Sequence, residues 1–246
     1  YIPISALAGD NVVRRSERTP WYDGPALLYH LEHLHVASDR NLTDVRFPVQ
    51  YVIRPQQAKT RDYRGYAGTV ASGVIRVGDP IMALPSGFST TVEGIDTPTG
   101  PVTEAFPPMA VVLRLADEID ISRGDMICRP NNQPTSGQDI DAMVCWMDER
   151  TSLKSRDKLA IKHTTRTARA LVKNVQYRLD INTLHRDDEA GSLALNEIGR
   201  VQLRTTQPLF FDEYRRNRTT GSFILIDEST NSTVGAGMIL GPSHPQ

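Results

Sequence analysis

The chain has 246 residues, which is enough for about two domains at the usual ~100–200 residues each. Its 28 lysine and arginine residues nearly balance its 29 aspartate and glutamate residues, so the net charge of −1 gives no whole-chain indication of a nucleic-acid or membrane partner. The apolar runs are too short for a membrane-spanning helix. Cys128 and Cys145 lie too far apart in sequence for a metal knuckle or a redox pair, so we expect two free core thiols.

The first 40 residues are predicted to contain one short strand and one helix. Residues 1–7 are apolar and strand-like, and a loop signal follows at residues 9–11. Asp23 is expected to cap the helix, with Pro25 in its first turn. The helix then carries an apolar stripe that must pack against a sheet or another helix, and it consists of Leu27, Leu28, Leu31 and Leu34.

From Arg46 onward the apolar pattern changes from a helical period to the alternation of a strand. Phe47, Val49, Tyr51 and Ile53 alternate with polar residues or proline, which predicts a half-buried strand with Arg46 on its water-facing side. Short strand-like runs separated by Gly, Pro and Asp turns continue from there almost to the end of the chain. Because no helices lie between these runs, we expect antiparallel rather than parallel sheets.

A polar, breaker-rich segment at residues 131–137 predicts a boundary between two domains. The fold class that follows is all-β, with two consecutive antiparallel β-barrels at residues 44–132 and 137–241. The last strand and helix of an α/β domain are expected to precede them in residues 1–40. Because the chain starts with tyrosine inside an element, we expect it to have been cut from a longer protein, with residues 242–246 starting a linker.

Several segments resemble translation-factor GTPases. Residues 4–12, with Ser5-Ala6-Leu7 at their centre, are similar to the guanine-recognition loop of that superfamily, in which a backbone N–H faces the guanine carbonyl. The two barrels resemble its domains 2 and 3, and the α/β remnant resembles the end of its GTPase domain. Residues 21–25 resemble the end of that GTPase domain, and residues 70–79 resemble a turn and strands of domain 2. The later segments, residues 162–167, 195–199, 221–227 and 233–239, are most similar to the large, GTP-hydrolysing subunit of bacterial sulfate adenylyltransferase.

This resemblance implies a cytoplasmic heterodimer. A small catalytic subunit would transfer the adenylyl group from ATP to sulfate, and the large subunit would couple GTP hydrolysis, with GTP and Mg²⁺ as cofactors, to that step. In some relatives an adenylyl-sulfate kinase domain follows the second barrel. Nucleic acid is not expected as a partner. Two alternative functions are considered for the barrels. They are elongation-factor-like barrels that bind aminoacyl-tRNA, or a scaffold for a downstream kinase domain.

The nucleotide site of such a protein is expected to be largely outside this chain. The sequence contains neither a Gly-x-x-x-x-Gly-Lys-Ser/Thr phosphate loop nor an Asn-Lys-x-Asp motif. Ser5, Ala6 and Leu7 are therefore the only predicted nucleotide-binding residues, and no catalytic or metal-binding residue is predicted. We expect the chain alone to be inactive. Two Asp-x-x-Gly matches, at residues 62–65 and 188–191, lie in barrel sequence and are interpreted as turns.

Two further patterns are given structural explanations. His30, His33 and His35 with Glu32 suggest a metal cluster, but only His30 and His33 share a helix face, so a solvated surface is expected. Gly235-Ala236-Gly237 has no helix behind it to bind a pyrophosphate, so these glycines are expected to permit close backbone packing in a strand.

Basic residues are concentrated in two places. Eight lie between Lys154 and Arg178, and a second group consists of Arg215, Arg216 and Arg218. Because strand alternation puts only about half of such a run on one face, a solvated surface, a protein partner and nucleic acid all stay open as explanations. Ser72, Thr165 and the other hydroxyls lack a convincing His/Asp arrangement for nucleophilic catalysis.

Overall fold

The structure, a computed structural model, describes residues 1–34, 40–55 and 63–243, so His35, Asp62 and residues 244–246 lie outside the described part. The chain divides into two compact units, residues 1–40 and residues 41–246. In the described part, the only helix is α1, Leu27–His33, in the first unit. It buries none of its residues: of the predicted leucine stripe, Leu28, Leu31 and Leu34 are exposed and Leu27 is half-buried.

The predicted start of the helix and the predicted first strand are both wrong. The N-cap is Ala26, with no side-chain cap. Two N–H groups of the first turn instead donate to the carbonyls of Asn11 and Val12, at 2.8 Å each, so a capping Asp23 is not needed. Residues 1–7 form no strand, and Ser5 makes only an isolated bridge to Asp10. A strand needs a neighbour for its hydrogen bonds, and the described residues of this unit supply none.

The second unit consists of two antiparallel barrels, which confirms the predicted fold class. In the first barrel β4 pairs with β5, which closes the ring β4-β9-β1-β2-β8-β5. Its strands are β1 (Arg46–Ile53), β2 (Gly65–Thr69), β3 (Ile75–Arg76), β4 (Pro80–Leu84), β5 (Phe88–Thr97), β6 (Gly100–Val102), β7 (Glu104–Ala105), β8 (Ala110–Leu115) and β9 (Met126–Cys128).

The second barrel closes in the same way, through pairing of β12 with β13, to give the ring β12-β17-β18-β10-β16-β13. Closure leaves these six strands without a free edge and encloses an apolar core in each barrel. The strands are β10 (Thr135–Trp146), β11 (Leu153–Lys154), β12 (Lys158–His163), β13 (Arg166–Leu179), β14 (Arg186–Asp187), β15 (Ser192–Leu193), β16 (Ile198–Phe211), β17 (Ser222–Ile226) and β18 (Thr233–Pro242).

Strand β1 departs from the predicted alternation. Arg46, expected on the water-facing side, is fully buried, whereas Tyr51, expected inside, is exposed. The register of β1 against β2 shifts between Val49 and Tyr51, and such a bulge reverses which residues face the core. Arg46 is buried because the second barrel covers it, through Asp212.

The glycines of β18 have the packing role that the sequence suggested. Gly235 and Gly237 lie inside a barrel strand rather than in a loop. A Cβ on Gly237 would lie only 2.1 Å from the ring of Phe223, which is buried in the paired strand β17. Gly237 therefore lets that ring pack against bare backbone.

Candidate functional site

The loop predicted to recognise guanine is a tight turn in the first unit. The N–H of Gly9 donates to the carbonyl of Ser5 at 2.8 Å, and the N–H of Ser5 donates to the carbonyl of Asp10 at 3.2 Å. Ser5 Oγ accepts from the N–H of Ala8 at 3.2 Å. Ala6 and Leu7 are exposed at the tip, and their N–H groups donate no hydrogen bond to any residue that the structure describes. The turn thus presents two unused backbone donors.

The two barrels meet around a buried ion pair. Arg46 of β1 donates two parallel hydrogen bonds to the Asp212 carboxylate, at 2.8 and 2.9 Å, and their side chains are 0% and 4% exposed. The third guanidinium nitrogen donates to the carbonyls of Val45 and Asn132, at 2.8 Å each. Such a fork-to-fork pair fixes direction as well as distance, so it sets the orientation of one barrel against the other.

A second arginine–carboxylate pair lies beside the first. Arg216 donates to both Asp44 oxygens at 2.7 and 2.8 Å. Asp44 also accepts from the side-chain amides of Asn41 and Asn132, at 2.6 Å each. These hydrogen bonds, from Arg216 above all, hold the pKa of Asp44 well below its usual range, against the opposing effect of burial. Asp44 is therefore a charged structural acceptor and not a proton donor at neutral pH.

A third contact closes the interface. Arg166 in β13 donates to Asp125 at 3.0 Å and to the carbonyls of Gly124 and Pro208 at 2.9 and 2.8 Å. Its guanidinium also lies 4.7 Å from the centre of the Phe210 ring. Phe210 belongs to a small buried apolar cluster with Leu84, Met126 and Cys128.

A histidine lies behind the first ion pair. His163 Nε2 donates to the carbonyl of Thr220 at 2.7 Å, and Thr220 Oγ1 donates to Asp212 at 2.7 Å. Burial lowers the pKa of His163 from its ordinary value, which favours the neutral imidazole. His163, Thr220 and Asp212 thus form a series of hydrogen bonds in which each group has a fixed partner. The series orients the Asp212 carboxylate and does not transfer a proton to a substrate.

The basic cluster between Lys154 and Arg178 is only partly available to a partner. Four of its eight members form ion pairs, which are Arg166 with Asp125, Arg169 with Glu228, Lys173 with Asp139, and Arg178 with Asp187 and Glu197. In the second basic group, Arg216 is bound to Asp44. This pairing reduces the net positive field that a nucleic acid would meet.

Other sequence patterns also have structural explanations. His30 is exposed, and His33 Nδ1 lies 2.8 Å from the carbonyl of Tyr29, on whose ring it stacks. No three metal-ligating side chains converge anywhere in the described residues. Ser72 donates to the carbonyl of Asp44 at 2.5 Å and is a structural hydroxyl. Residues 188–189 form a turn, as interpreted, whereas the other Asp-x-x-Gly match begins outside the described residues.

The two cysteines differ, which corrects one prediction. Cys128 is buried in the interface cluster, and burial raises its pKa to about 11. Cys145 is free but only half-buried, so it is not a core thiol. It lines a groove of about 610 Å³ on the outside of the second barrel. The strands β10, β12, β16, β17 and β18 form this groove together with Thr164, Tyr214 and Thr219.

Sequence reasoning missed both the interface network and this groove. The arginines of the network resemble ordinary strand residues, and nothing local identifies their partners. The groove did leave a signal, because residues 142–147, the end of β10 and the residue after it, are apolar without interruption. In a barrel strand with one face in water, apolar and polar residues alternate. The uninterrupted run therefore indicated that the outer face of this strand is also shielded from water or binds a partner.

No helix in the described part of the chain is long and apolar enough to cross a membrane.

The sequence profile of the GTP-eEF1A C-terminal domain-like family matches residues 139–240, which is the second barrel. Crystal structures of Sup35 with GDP and with GMPPNP share the fold, each with a TM-score of 0.75 and 18% identity over 98% of this chain and 58% of theirs.

The sequence relatives are more similar. The chain is 62% identical over 97% of its length to the bifunctional enzyme CysN/CysC of Mycobacterium tuberculosis, of which it covers 39%. It is 50% identical, again over 97% of its length, to sulfate adenylyltransferase subunit 1 of Bacteroides fragilis, of which it covers 49%. The chain thus spans about half the length, or less, of these relatives. The predicted resemblance is confirmed: along almost its whole length the chain is similar to part of sulfate adenylyltransferase subunit 1 and of the CysN/CysC bifunctional enzymes.

Proposed function

We propose that this chain provides the two β-barrels of the GTP-hydrolysing subunit of a sulfate adenylyltransferase. In that protein, GTP hydrolysis would be coupled to adenylyl transfer from ATP to sulfate. The observation that carries the proposal is the 62% identity to a CysN/CysC enzyme along 97% of the chain. The proposed division is a GTPase-domain remnant at residues 1–40, barrels at 44–132 and 137–241, and a linker that begins only after Pro242, the last residue of β18, in a cytoplasmic protein.

In this role the barrels would act as one body. GTPase switching in general works through a segment that orders around the γ-phosphate and moves a neighbouring domain. Such motion reaches a distant partner only if the moved part does not deform. The bidentate pairs Arg46–Asp212 and Arg216–Asp44 support this, because each joins one barrel to the other with fixed direction.

The turn at Ser5, Ala6 and Leu7 would contact the guanine base. Its two unused backbone donors suit a carbonyl acceptor such as guanine O6. GTP supplies the hydrolysable phosphate when bound. This chain would contribute only that contact, because its sequence has no phosphate loop and no three potential metal ligands converge among the residues that the structure describes. Ala6→Pro, which deletes one donor, is expected to weaken GDP binding at least tenfold in the longer protein, with Ala6→Ser, which keeps the N–H, as the comparison.

The proposed partner is the small catalytic subunit, with an adenylyl-sulfate kinase domain following the second barrel in a fused form. Calorimetric titration of the chain with a purified small subunit, and in parallel with aminoacyl-tRNA, tests the partner assignment. Binding to the small subunit alone is the expected result. Salt-sensitive binding to tRNA alone would replace the proposal by the elongation-factor-like reading.

A further inference from the structure

The first unit is organised around a buried asparagine. Among the residues of this unit that the structure describes, only Asn11 and Ala26 are buried, and Asn11 is 0% exposed. One buried alanine contributes too little apolar packing to fix the loops of the unit. Their arrangement therefore depends on hydrogen bonds, and the side chain best placed to supply these bonds is that of Asn11.

The Asn11 amide uses its full hydrogen-bonding capacity. Its Nδ2 donates to the carbonyl of Pro3 and to Thr19 Oγ1, at 2.8 Å each. Its Oδ1 accepts from the N–H of Ser16 at 2.8 Å. An asparagine side chain carries two N–H donors and one oxygen, so none of these groups is buried without a partner. The site is specific for an amide, because an aspartate would have no N–H to donate to Pro3.

The backbone of Asn11 contributes as well. Its φ of 55° is a left-handed conformation that asparagine adopts more readily than most residues with a side chain. In this conformation its carbonyl accepts from the N–H of Leu27, at 2.8 Å, at the start of α1. Asn11 thus connects the loop of residues 16–19, the helix and the chain segment before Ser5.

These bonds close the turn that is proposed to contact guanine. At the base of that turn, the N–H of Ser5 donates to the carbonyl of Asp10 at 3.2 Å. Pro3 and Asn11 flank this pair, so their hydrogen bond closes the base a second time. Ala6 and Leu7 at the tip donate no backbone hydrogen bond to any described residue, so the base sets the direction of their N–H groups.

We infer that Asn11 is the positioning residue for recognition of guanine O6. It does not contact the nucleotide, but it holds the base of the turn so that the N–H groups of Ala6 and Leu7 already point toward the position of O6. Donors that are fixed before binding lose less conformational entropy when the base arrives. The inference rests on the proposed function, which puts the guanine base at this turn.

The test compares GDP with 6-thio-GDP, which keeps the other groups of guanine and replaces O6 by sulfur, a weaker acceptor. Calorimetry on the nucleotide-free longer protein gives the ratio of the two affinities. The unsubstituted protein should bind GDP about tenfold more tightly. Asn11→Gly removes the amide but tolerates the positive φ, and it should reduce this ratio to about twofold, mainly by weakening GDP binding.

The matched control is Asn231→Gly. Asn231 also has a positive φ, of 56°, but it is exposed in a turn of the second barrel, so its replacement should leave the ratio unchanged. Thr19→Val removes only one of the three bonds to the Asn11 amide and should give a ratio of about fivefold. This variant keeps the test decisive if Asn11→Gly does not fold. Without nucleotide, hydrogen exchange of residues 3–11 should be faster in Asn11→Gly than in Asn231→Gly.

The outcomes separate the inference from the proposed function. If the unsubstituted protein prefers GDP and both Asn11→Gly and Thr19→Val keep that preference, the turn reads O6 but Asn11 does not position it. If a variant weakens both nucleotides equally, Asn11 supports the fold alone and the inference is overturned. If the unsubstituted protein binds GDP and 6-thio-GDP equally well, the turn does not read O6, and the proposed guanine contact fails together with the inference.

Discussion

Replacing Arg46 by methionine tests whether the ion pair at the centre of the barrel interface is truly desolvated. Methionine keeps part of the length of the arginine side chain but removes the guanidinium. The Asp212 carboxylate, 4% exposed, would then retain only the hydroxyl of Thr220 as a hydrogen-bond donor among the described residues. A buried charge that loses its partner costs about 3–5 kcal/mol. We therefore expect Arg46→Met to lower the free energy of unfolding by that amount.

Urea unfolding at pH 7, followed by circular dichroism, measures the effect. Arg76→Met is the matched control, because Arg76 also pairs with a carboxylate, Glu104, but the two side chains are 57% and 50% exposed. A solvated pair contributes about 0–1 kcal/mol. The double variant Arg46→Met/Asp212→Leu should recover most of the loss, because it removes both charges. If Arg46→Met lies within about 1 kcal/mol of the unsubstituted chain, water reaches the pair and the reasoning is wrong.

Three further predictions concern other parts of the second unit. The hydrogen bonds from Arg216 lower the pKa of Asp44 in the folded state. The stability due to Asp44 is therefore complete above the unfolded-state pKa of about 3.9 and is lost as the pH falls through the folded-state pKa. Asp44→Asn should flatten the pH dependence of urea unfolding below about pH 5. Gly237→Ala should lower the free energy of unfolding by about 1–3 kcal/mol through overpacking, whereas Gly191→Ala, with open space at its Cβ, should change it little. Buried Cys128, with its pKa raised to about 11, should react with a thiol reagent at pH 8 only after unfolding, so Cys145→Ser should abolish the reaction of the folded chain.

The barrels were predictable from sequence because their signals are local. Alternating apolar residues and Gly, Pro or Asp turns specify each strand within a few residues, and the strands so predicted are present. The predictions were wrong where a contact with a residue distant in sequence overrode a local sequence rule. Arg46 obeys strand alternation but is buried by the other barrel, and the start of α1 is satisfied by the carbonyls of Asn11 and Val12 instead of a capping side chain.

The interface network was not predictable for the same reason. Arg46 and Asp212 are 166 residues apart, and Asp44 and Arg216 are 172 residues apart. Neither pair lies in a motif, and arginine–aspartate combinations are common on solvated surfaces. Only the arrangement of the two closed barrels brings these residues together. The apolar side of the second barrel was readable in principle, because residues 142–147 break the alternation that a water-facing strand requires.

The chemistry of the barrel interface fits a body that must keep its shape while it moves. An interface held only by apolar contacts tolerates sliding and rotation, because the hydrophobic effect is non-directional. Here an apolar cluster around Phe210 and Cys128 is joined by two bidentate arginine–carboxylate pairs, by the hydrogen bonds of Arg166 and by amide donors. Such pairs add little net stability once desolvation is counted, but they make any other orientation costly because a buried charge would lose its partner. Orientation, more than stability, is therefore what this interface provides.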